Sequence, residues 1–463
     1  MTEQQAQAKA GPQWAPAVAR ARRELPGYLP QQRWYPAKDA ELTGLTLEAL
    51  QPLDTGARAA LALWKLTVAG REPFELFVPL RDAPGEGFQD ALADDDFVRA
   101  LVGWMLERGR APPGVQAGCT AHAARLRQAA PWSVSRSKAE QSNSSFRIAD
   151  AAMLKVLRRI EAGIHPELEV GRFLTEQAHF SGTPALLGWI AIGERTLALL
   201  QAFIPNEGDG WNWIRAHLQA GTASEPQVME WIAILGRRTA ELHAAFRTAT
   251  SDEAFRTERA GPEDWEHWTR AIGDSGRTLL QALERQSATL DPQARELAAQ
   301  FRARAPRLDE LLASLLRPLP HWEKTRHHGD YHLGQVLVRP DDAIIVDFEG
   351  EPLRPLSERR AKHVALRDVA GMLRSIDYAG ASAEAPGGQE WSAAASRIFL
   401  DRYLERLQQL SPTPLDREAA RRIVRLFQIE KALYEVAYEL ANRPAWAAIP
   451  LRGLLEALGE HPA

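Results

Sequence analysis

Residues 327–352 read HHGDYHLGQVLVRPDDAIIVDFEGEP. Histidines, a glycine and carboxylates surround two apolar runs. AIIV has the composition of a short buried strand, and charge at the end of such a strand costs desolvation energy. Yet Asp347 follows that run directly, with Glu349 and Glu351 close behind. Carboxylates kept at that cost point to chemistry rather than to packing.

Two spacings within the stretch define which chemistry. His328-Gly329-Asp330 is followed by Gln335, five residues after the aspartate, and then by the strand and Asp347-Phe348-Glu349. Phosphoryl transfer needs a carboxylate to orient the attacking hydroxyl and accept its proton. It needs an oxygen ligand for a metal ion a short loop away, and a second carboxylate at a strand end to hold that metal on the nucleotide phosphates. Kinase catalytic loops set the aspartate and the metal-binding amide at the same separation. Here glutamine replaces asparagine and DFE replaces DFG. Asp330 is the candidate base, with Gln335, Asp347 and Glu349 as candidate Mg²⁺ ligands. A solvated acidic loop could carry any one of these features, but not the ordered set. A zinc site from His327, His328 and His332 is disfavoured, because oxygen ligands dominate and the histidines lack helical H-x-x-x-H spacing.

Such a site predicts parts upstream. A lysine belongs on a strand before a glutamate on a helix, and Lys155 in MLKVLRRI precedes Glu169 in PELEVGRFL. This pair is the candidate clamp on the nucleotide phosphates. No glycine-rich loop precedes the lysine. Residues 135–150 read SRSKAEQSNSSFRIAD, where Gln141, Ser142, Asn143, Ser144 and Ser145 are the donors on offer to phosphate oxygens.

The rest of the chain fits a two-lobed enzyme. Its 463 residues are 45% hydrophobic and 25% charged, with net charge −4, so no basic field invites nucleic acid. One cysteine, Cys119, excludes an internal disulfide and fits a reducing cytoplasm. No apolar run reaches the roughly 18 residues of a membrane span, and the polar N-terminus has no signal-peptide core. A soluble cytoplasmic protein is expected. Strands are expected over 42–80 and, in short pieces, at 121–127, 131–136, 144–149 and 152–157. Helices are expected at 88–109, 166–179, 276–317, 393–409, 415–441 and 451–459. The expected class is α+β, with a cap subdomain over 1–130, a β-rich N-lobe over 131–205 and a helical C-lobe over 206–463. NEGDG, at 206–210, is the candidate hinge.

One helix carries a second set of candidates. In IEKALYEVAYELANRP, Lys431, Tyr434, Glu435, Tyr438 and Asn442 share a face. Rings mixed with donors and acceptors suit a sugar better than an apolar core. His332 either touches the same acceptor or braces the loop. Asp209 either contacts a ligand or caps the following helix.

With these residues in view, the chain resembles the maltokinase family of the aminoglycoside-phosphotransferase and protein-kinase-like superfamily. The resemblance is carried by RWYPAK at 33–38, EQSNSSF at 140–146 and HPELEVGRFLTE at 165–176. It continues through QAFIPNEGDGW at 201–211, HGDYHLGQVL, VDFEGEP and LRDVAGMLRSIDYA at 366–379, and ends with KALYEVAYELANRPAWAAIPLRGL at 431–454. It implies a bilobal kinase fold with an N-terminal cap and ATP-dependent phosphorylation of maltose at its anomeric hydroxyl. The product, maltose 1-phosphate, would feed bacterial α-glucan (glycogen) synthesis, with trehalose synthase as the maltose source and an expected partner. Asp330 is then the base, Gln335 and Asp347 bind Mg²⁺, and Lys155 and Glu169 orient ATP. Gln201, Ala202 and Phe203 lie beside adenine, which they would contact through backbone groups. The matching lysine and tyrosines of the 431–442 face hold the disaccharide. Two rivals remain: a kinase for glucosamine or an aminoglycoside, and an inactive kinase fold that regulates trehalose synthase.

Overall fold

The computed structural model describes residues 12–459, apart from 54–57, 83, 84, 86, 108–110, 138–141, 288, 289, 353, 384 and 385. Gln141 therefore lies outside the described residues. The chain divides into two compact units, Met1–Glu176 with Pro184–Ile204 and Gln177–Thr183 with Pro205–Ala463.

The first unit holds two antiparallel sheets. In one, Ala59–Val68 is flanked by Leu42–Pro52 and Phe74–Phe77, and the row ends at Arg159–Ile160. The segment AALALWKLTV alternates its side chains between two faces, and both are buried apart from Lys65 and Thr67. Trp64 and Leu66 pack with Val18, Ala21 and Leu25 of helix Ala15–Tyr28. Leu61, Leu63 and Phe77 share a core with Phe97 and Leu101, and with Phe146, Leu154 and Val156 of the second sheet. That sheet runs in the order Val115–Cys119, Leu186–Ile192, Arg195–Ala202, Ala152–Leu157, Asn143–Ile148, Val134–Arg136. The lysine strand Ala152–Leu157 is thus interior to the second sheet, and its continuation Arg159–Ile160 pairs with Glu75 and Leu76 in the first.

One expected strand is absent. Residues 121–127, AHAARLR, form a 3₁₀ turn at Ala121–Ala123 and a short helix at Ala124–Gln128. Alanine, arginine and leucine favour helix, and nothing in the segment is β-branched. The helix expected over 88–109 is shorter, Asp95–Leu106, because Asp94 caps its start by accepting from Asp96 N–H.

The second unit is mainly helical. Its longer helices are Gly210–Ala220, Pro226–Ala245, Pro262–Gln286, Pro292–Arg304, Leu366–Ser382, Gly388–Leu410, Arg417–Asn442 and Ala448–Leu458. Asp209 caps the first, its side chain accepting from Asn212 N–H at 2.9 Å, so capping is the role the fold gives it. The acidic stretch 327–352 contains a two-stranded hairpin, Val336–Arg339 with Asp342–Ile345. Arg238 of helix Pro226–Ala245 fastens the hairpin turn with a bidentate bond to Asp342, at 2.6 and 2.9 Å. A β-rich unit and a helical unit make up the expected α+β chain. Among the described residues no helix is long and apolar enough to cross a membrane.

Candidate active site

In the first unit Lys155 points its ammonium at a buried carboxylate. Nζ lies 2.6 Å from Glu167 Oε2, and Glu167 is 2% exposed. Gln201 Nε2 donates to the other oxygen, Oε1, at 3.3 Å. A buried carboxylate held by a cation and an amide is a stable ion pair, and it fixes the lysine rotamer. Sequence reasoning placed Glu169 opposite the lysine and missed Glu167. Both lie in the first turns of helix Pro166–Glu176, where Glu167 is buried and Glu169 only partly so. The usable signal was the helix start at Pro166, which turns its second residue inward.

The proposed nucleotide donors divide. Ser142 is exposed and Asn143 half-buried, with Asn143 Nδ2 donating to Ser142 Oγ. Ser144 departs from expectation: it is 1% exposed, and its hydroxyl accepts from Arg158 Nε at 2.8 Å. The alternation of the strand turns Ser144 inward, so its side chain is committed to the core rather than to a ligand. Ala202 and Phe203 N–H groups are spent inside the unit, on Ala185 O and Ala151 O at 2.9 Å each.

In the second unit the candidate catalytic loop is held by its backbone. Asp368, 3% exposed, accepts from His328 N–H at 2.7 Å and from Gly329 N–H at 3.0 Å. Behind it His243 Nε2 lies 3.4 Å from the same carboxylate, and Tyr403 hydroxyl lies 3.0 Å from His243 Nδ1. Burial works against the charge on Asp368, but the bond from His243 and the neighbouring imidazoles hold its pKa below the usual carboxylate range. Gly329 takes φ +85°, a conformation that only glycine adopts freely. His328 Nε2 donates to Val346 O at 2.9 Å, and His332 Nδ1 accepts from Gly334 N–H at 3.1 Å. These rings brace the loop, which removes them from a zinc site.

Asp330 emerges from this frame partly exposed. His332 Nε2 is 3.9 Å from its Oδ2 and Lys431 Nζ is 3.7 Å from its Oδ1. Gln335 Nε2 donates to Asp347 Oδ2 at 3.0 Å, leaving the amide oxygen of Gln335 as the atom it can offer a cation. Asp347 itself has φ +70°. A non-glycine residue held there is strained, and such strain concentrates at functional sites. Glu349 follows two residues on. Gln335, Asp347 and Glu349 supply only oxygen ligands, the donor type that Mg²⁺ takes.

The acceptor candidates lie on helix Arg417–Asn442. Lys431 Nζ contacts Glu351 at 3.3 Å as well as Asp330. Burial opposes its charge, but Asp330, Glu351 and Glu435 outweigh burial and raise its pKa. Tyr434 and Tyr438 are stacked at 6.4 Å, and each is about 40% exposed. A pocket lined by Gly329, Asp330, Tyr331, Glu351, Arg367, Lys431 and Tyr434 joins this face to the loop. Glu435 is turned away and bonds Arg374 at 2.9 Å. Asn442 is exposed and donates to Tyr438 O. So Asp330, Lys431 and Tyr434 are brought together, whereas Glu435 and Asn442 are engaged elsewhere. Arg367 binds Glu430 with two bonds, at 2.8 and 3.1 Å.

Residues 133–351 match the sequence model of a phosphotransferase enzyme family, and residues 28–111 match that of the maltokinase N-terminal cap domain. Together the two matches support a phosphotransferase of the maltokinase family, and the fold is protein-kinase-like. A glucosamine kinase of Streptacidiphilus jiangxiensis is 27% identical over 434 residues, which are 90% of this chain and 92% of that protein. A glucosamine kinase of Mycolicibacterium smegmatis (strain ATCC 700084 / mc(2)155) is 28% identical over 338 residues, 69% of this chain and 78% of that one. A solved glucosamine kinase in complex with glucosamine, ADP and inorganic phosphate shares the fold. It has a TM-score of 0.69 at 24% identity, over 94% of this chain and 99% of that one. The protein is a sugar-kinase-like phosphotransferase.

Proposed function

We propose that the protein transfers the γ-phosphoryl group of ATP to O1 of maltose, giving maltose 1-phosphate and ADP. The observation that carries the choice of acceptor is the charge balance of helix Arg417–Asn442. Glu430 binds Arg367, Glu435 binds Arg374, and Glu439 binds Arg443. Glu351 is likewise covered, by Lys431 and Arg354. These four carboxylates are paired with cations, so a neutral sugar costs less desolvation against them than a charged one. Exposed, stacked Tyr434 and Tyr438 offer apolar faces of the kind sugar rings pack on.

The roles follow from chemistry. Asp330 accepts the proton of the maltose O1 hydroxyl. O1 then forms a bond to the γ-phosphorus as the bond to the β–γ bridging oxygen breaks, and ADP leaves. Lys431, 3.7 Å from Asp330, takes part of the acceptor's hydrogen bonding. Lys155, fixed by Glu167, holds nucleotide phosphates, and the side of the site near Ser142 and Asn143 contributes donors. Gln335, Asp347 and Glu349 would hold Mg²⁺, which neutralises charge on the transferring phosphates. Supply of maltose by trehalose synthase, a complex with that enzyme and an α-glucan destination rest on the family resemblance.

A second reading, transfer to glucosamine, is favoured by the names of the two relatives. A panel of maltose, glucose, glucosamine, trehalose and an aminoglycoside with Mg-ATP separates the two. Transfer to maltose, giving an alkali-stable and acid-labile phosphate, is expected. Transfer to amino sugars alone overturns the acceptor and keeps Asp330. Absence of both transfer and nucleotide binding leaves only the regulatory reading.

A further inference from the structure

The lysine strand crosses from one sheet to the other at a single buried arginine. Ala152–Leu157, with Lys155, lies in the six-stranded sheet, and Arg159–Ile160 pairs with the cap strand Phe74–Phe77. Arg158 stands at the crossing, its carbonyl accepting from Phe77 N–H at 2.8 Å. Its side chain is 3% exposed and spends the guanidinium in three directions. Nε donates to Ser144 Oγ at 2.8 Å, Nη1 to Phe77 O at 3.3 Å and Nη2 to Asp90 Oδ2 at 2.7 Å. The guanidinium also lies over the Trp34 ring, 4.5 Å from its centroid. Asp90, 7% exposed, closes the arrangement by accepting from Leu92 N–H at 3.0 Å through Oδ1.

A buried arginine needs its donors met, and a planar fork with three fixed partners holds its backbone in one place. Two of those partners, Phe77 and Asp90, belong to the segment matched as the cap domain. The third, Ser144, stands on strand Asn143–Ile148, next to Asn143. We propose that Arg158 is a positioning residue through which the cap sets the nucleotide end of the site. It fixes the register of the lysine strand three residues before it and the Ser142–Asn143 edge beside it. This rests on the reading that Lys155 holds nucleotide phosphates. A positional error of that kind weakens phosphate binding and leaves the acceptor face of the other unit untouched.

The test compares wild type with Arg158→Met, Arg158→Lys and Asp90→Asn. Melting temperature, Mg-ADP affinity by calorimetry, and KM for ATP and for acceptor are measured on each. The expected result is a roughly tenfold loss of Mg-ADP affinity in Arg158→Met, as for a typical coupling between sites. The loss is smaller in Asp90→Asn, Arg158→Lys lies between, and acceptor KM stays within about twofold. Unchanged Mg-ADP affinity in a folded Arg158→Met overturns the proposal, as does an equal shift in both KM values. If Arg158→Met does not fold, Asp90→Asn, which keeps shape and removes charge, decides by the same criterion. Wild type that binds no Mg-ADP refutes the nucleotide reading itself, and this inference with it.

Discussion

Behind Asp330 the chain is locked from the inside: Asp368 accepts two backbone N–H groups of the loop and is itself backed by His243 and Tyr403. Around Tyr434 and Tyr438 the arrangement is reversed. Arg367, Arg374 and Arg443 grip helix Arg417–Asn442 through its glutamates, while both rings face solvent. The difference teaches where precision is placed. A proton acceptor must keep its position to a fraction of an ångström, and only buried, satisfied groups achieve that. A sugar face needs open rings, with carboxylates neutralised beforehand so that the incoming hydroxyls meet no unpaired charge.

Breaking the locked side at its tip gives the largest effect. Asp330→Asn keeps the loop bonds, which run through backbone groups and Asp368, and removes the proposed base. We expect kcat to fall by roughly 10²–10⁴-fold, with Mg-ADP affinity unchanged by calorimetry. Full turnover in that variant would remove Asp330 from the reaction. On the open side, Tyr438→Ala strips one ring from a half-exposed stack. Acceptor KM is expected to rise by roughly tenfold, with KM for ATP constant, in steady-state kinetics. A matching rise in both would place Tyr438 in the fold's support rather than at the acceptor.

The smallest effect sharpens the comparison by titrating the locked side. His327 is enclosed, and neither ring nitrogen has a hydrogen-bond partner among the described residues. Burial first, then the Arg367 and Arg326 charges, push its pKa down to about 4, against the pull of Asp368. His363, 5.7 Å away between ring centres, is also held low by burial. The folded form therefore prefers neutral rings. This contribution is complete above the unfolded histidine value near 6.5 and shrinks as pH falls below it. For His327 alone, about 1 kcal/mol is lost by pH 5.5. Urea unfolding across that range should reveal the slope, and His327→Gln should flatten it. An identical slope in the variant would place the titration elsewhere.

Much of this was legible in the sequence because it is local. The spacing of Asp330, Gln335 and Asp347 is set within one loop and one hairpin, and the Lys431–Tyr438 face by helical period alone. What escaped depends on burial across the fold. Glu167 and Glu169 are equally plausible on paper, and only the inward turn of helix Pro166–Glu176 separates them. Ser144 reads as a ligand donor until its strand turns it into the core beside Arg158. Glu435 shares a face with Tyr438 by spacing, yet Arg374, 61 residues earlier, draws it away. The AHAARLR segment was read as strand against its own alanine content, an error of propensity rather than of context.

The central claim is that a helix whose glutamates are paired off receives a neutral disaccharide. The most direct measurement is the ratio of kcat/KM for maltose to that for glucosamine, both with Mg-ATP at one pH. A ratio well above one is expected, with phosphate on the anomeric oxygen of maltose. A ratio below one, with phosphorylated glucosamine as the main product, would contradict it.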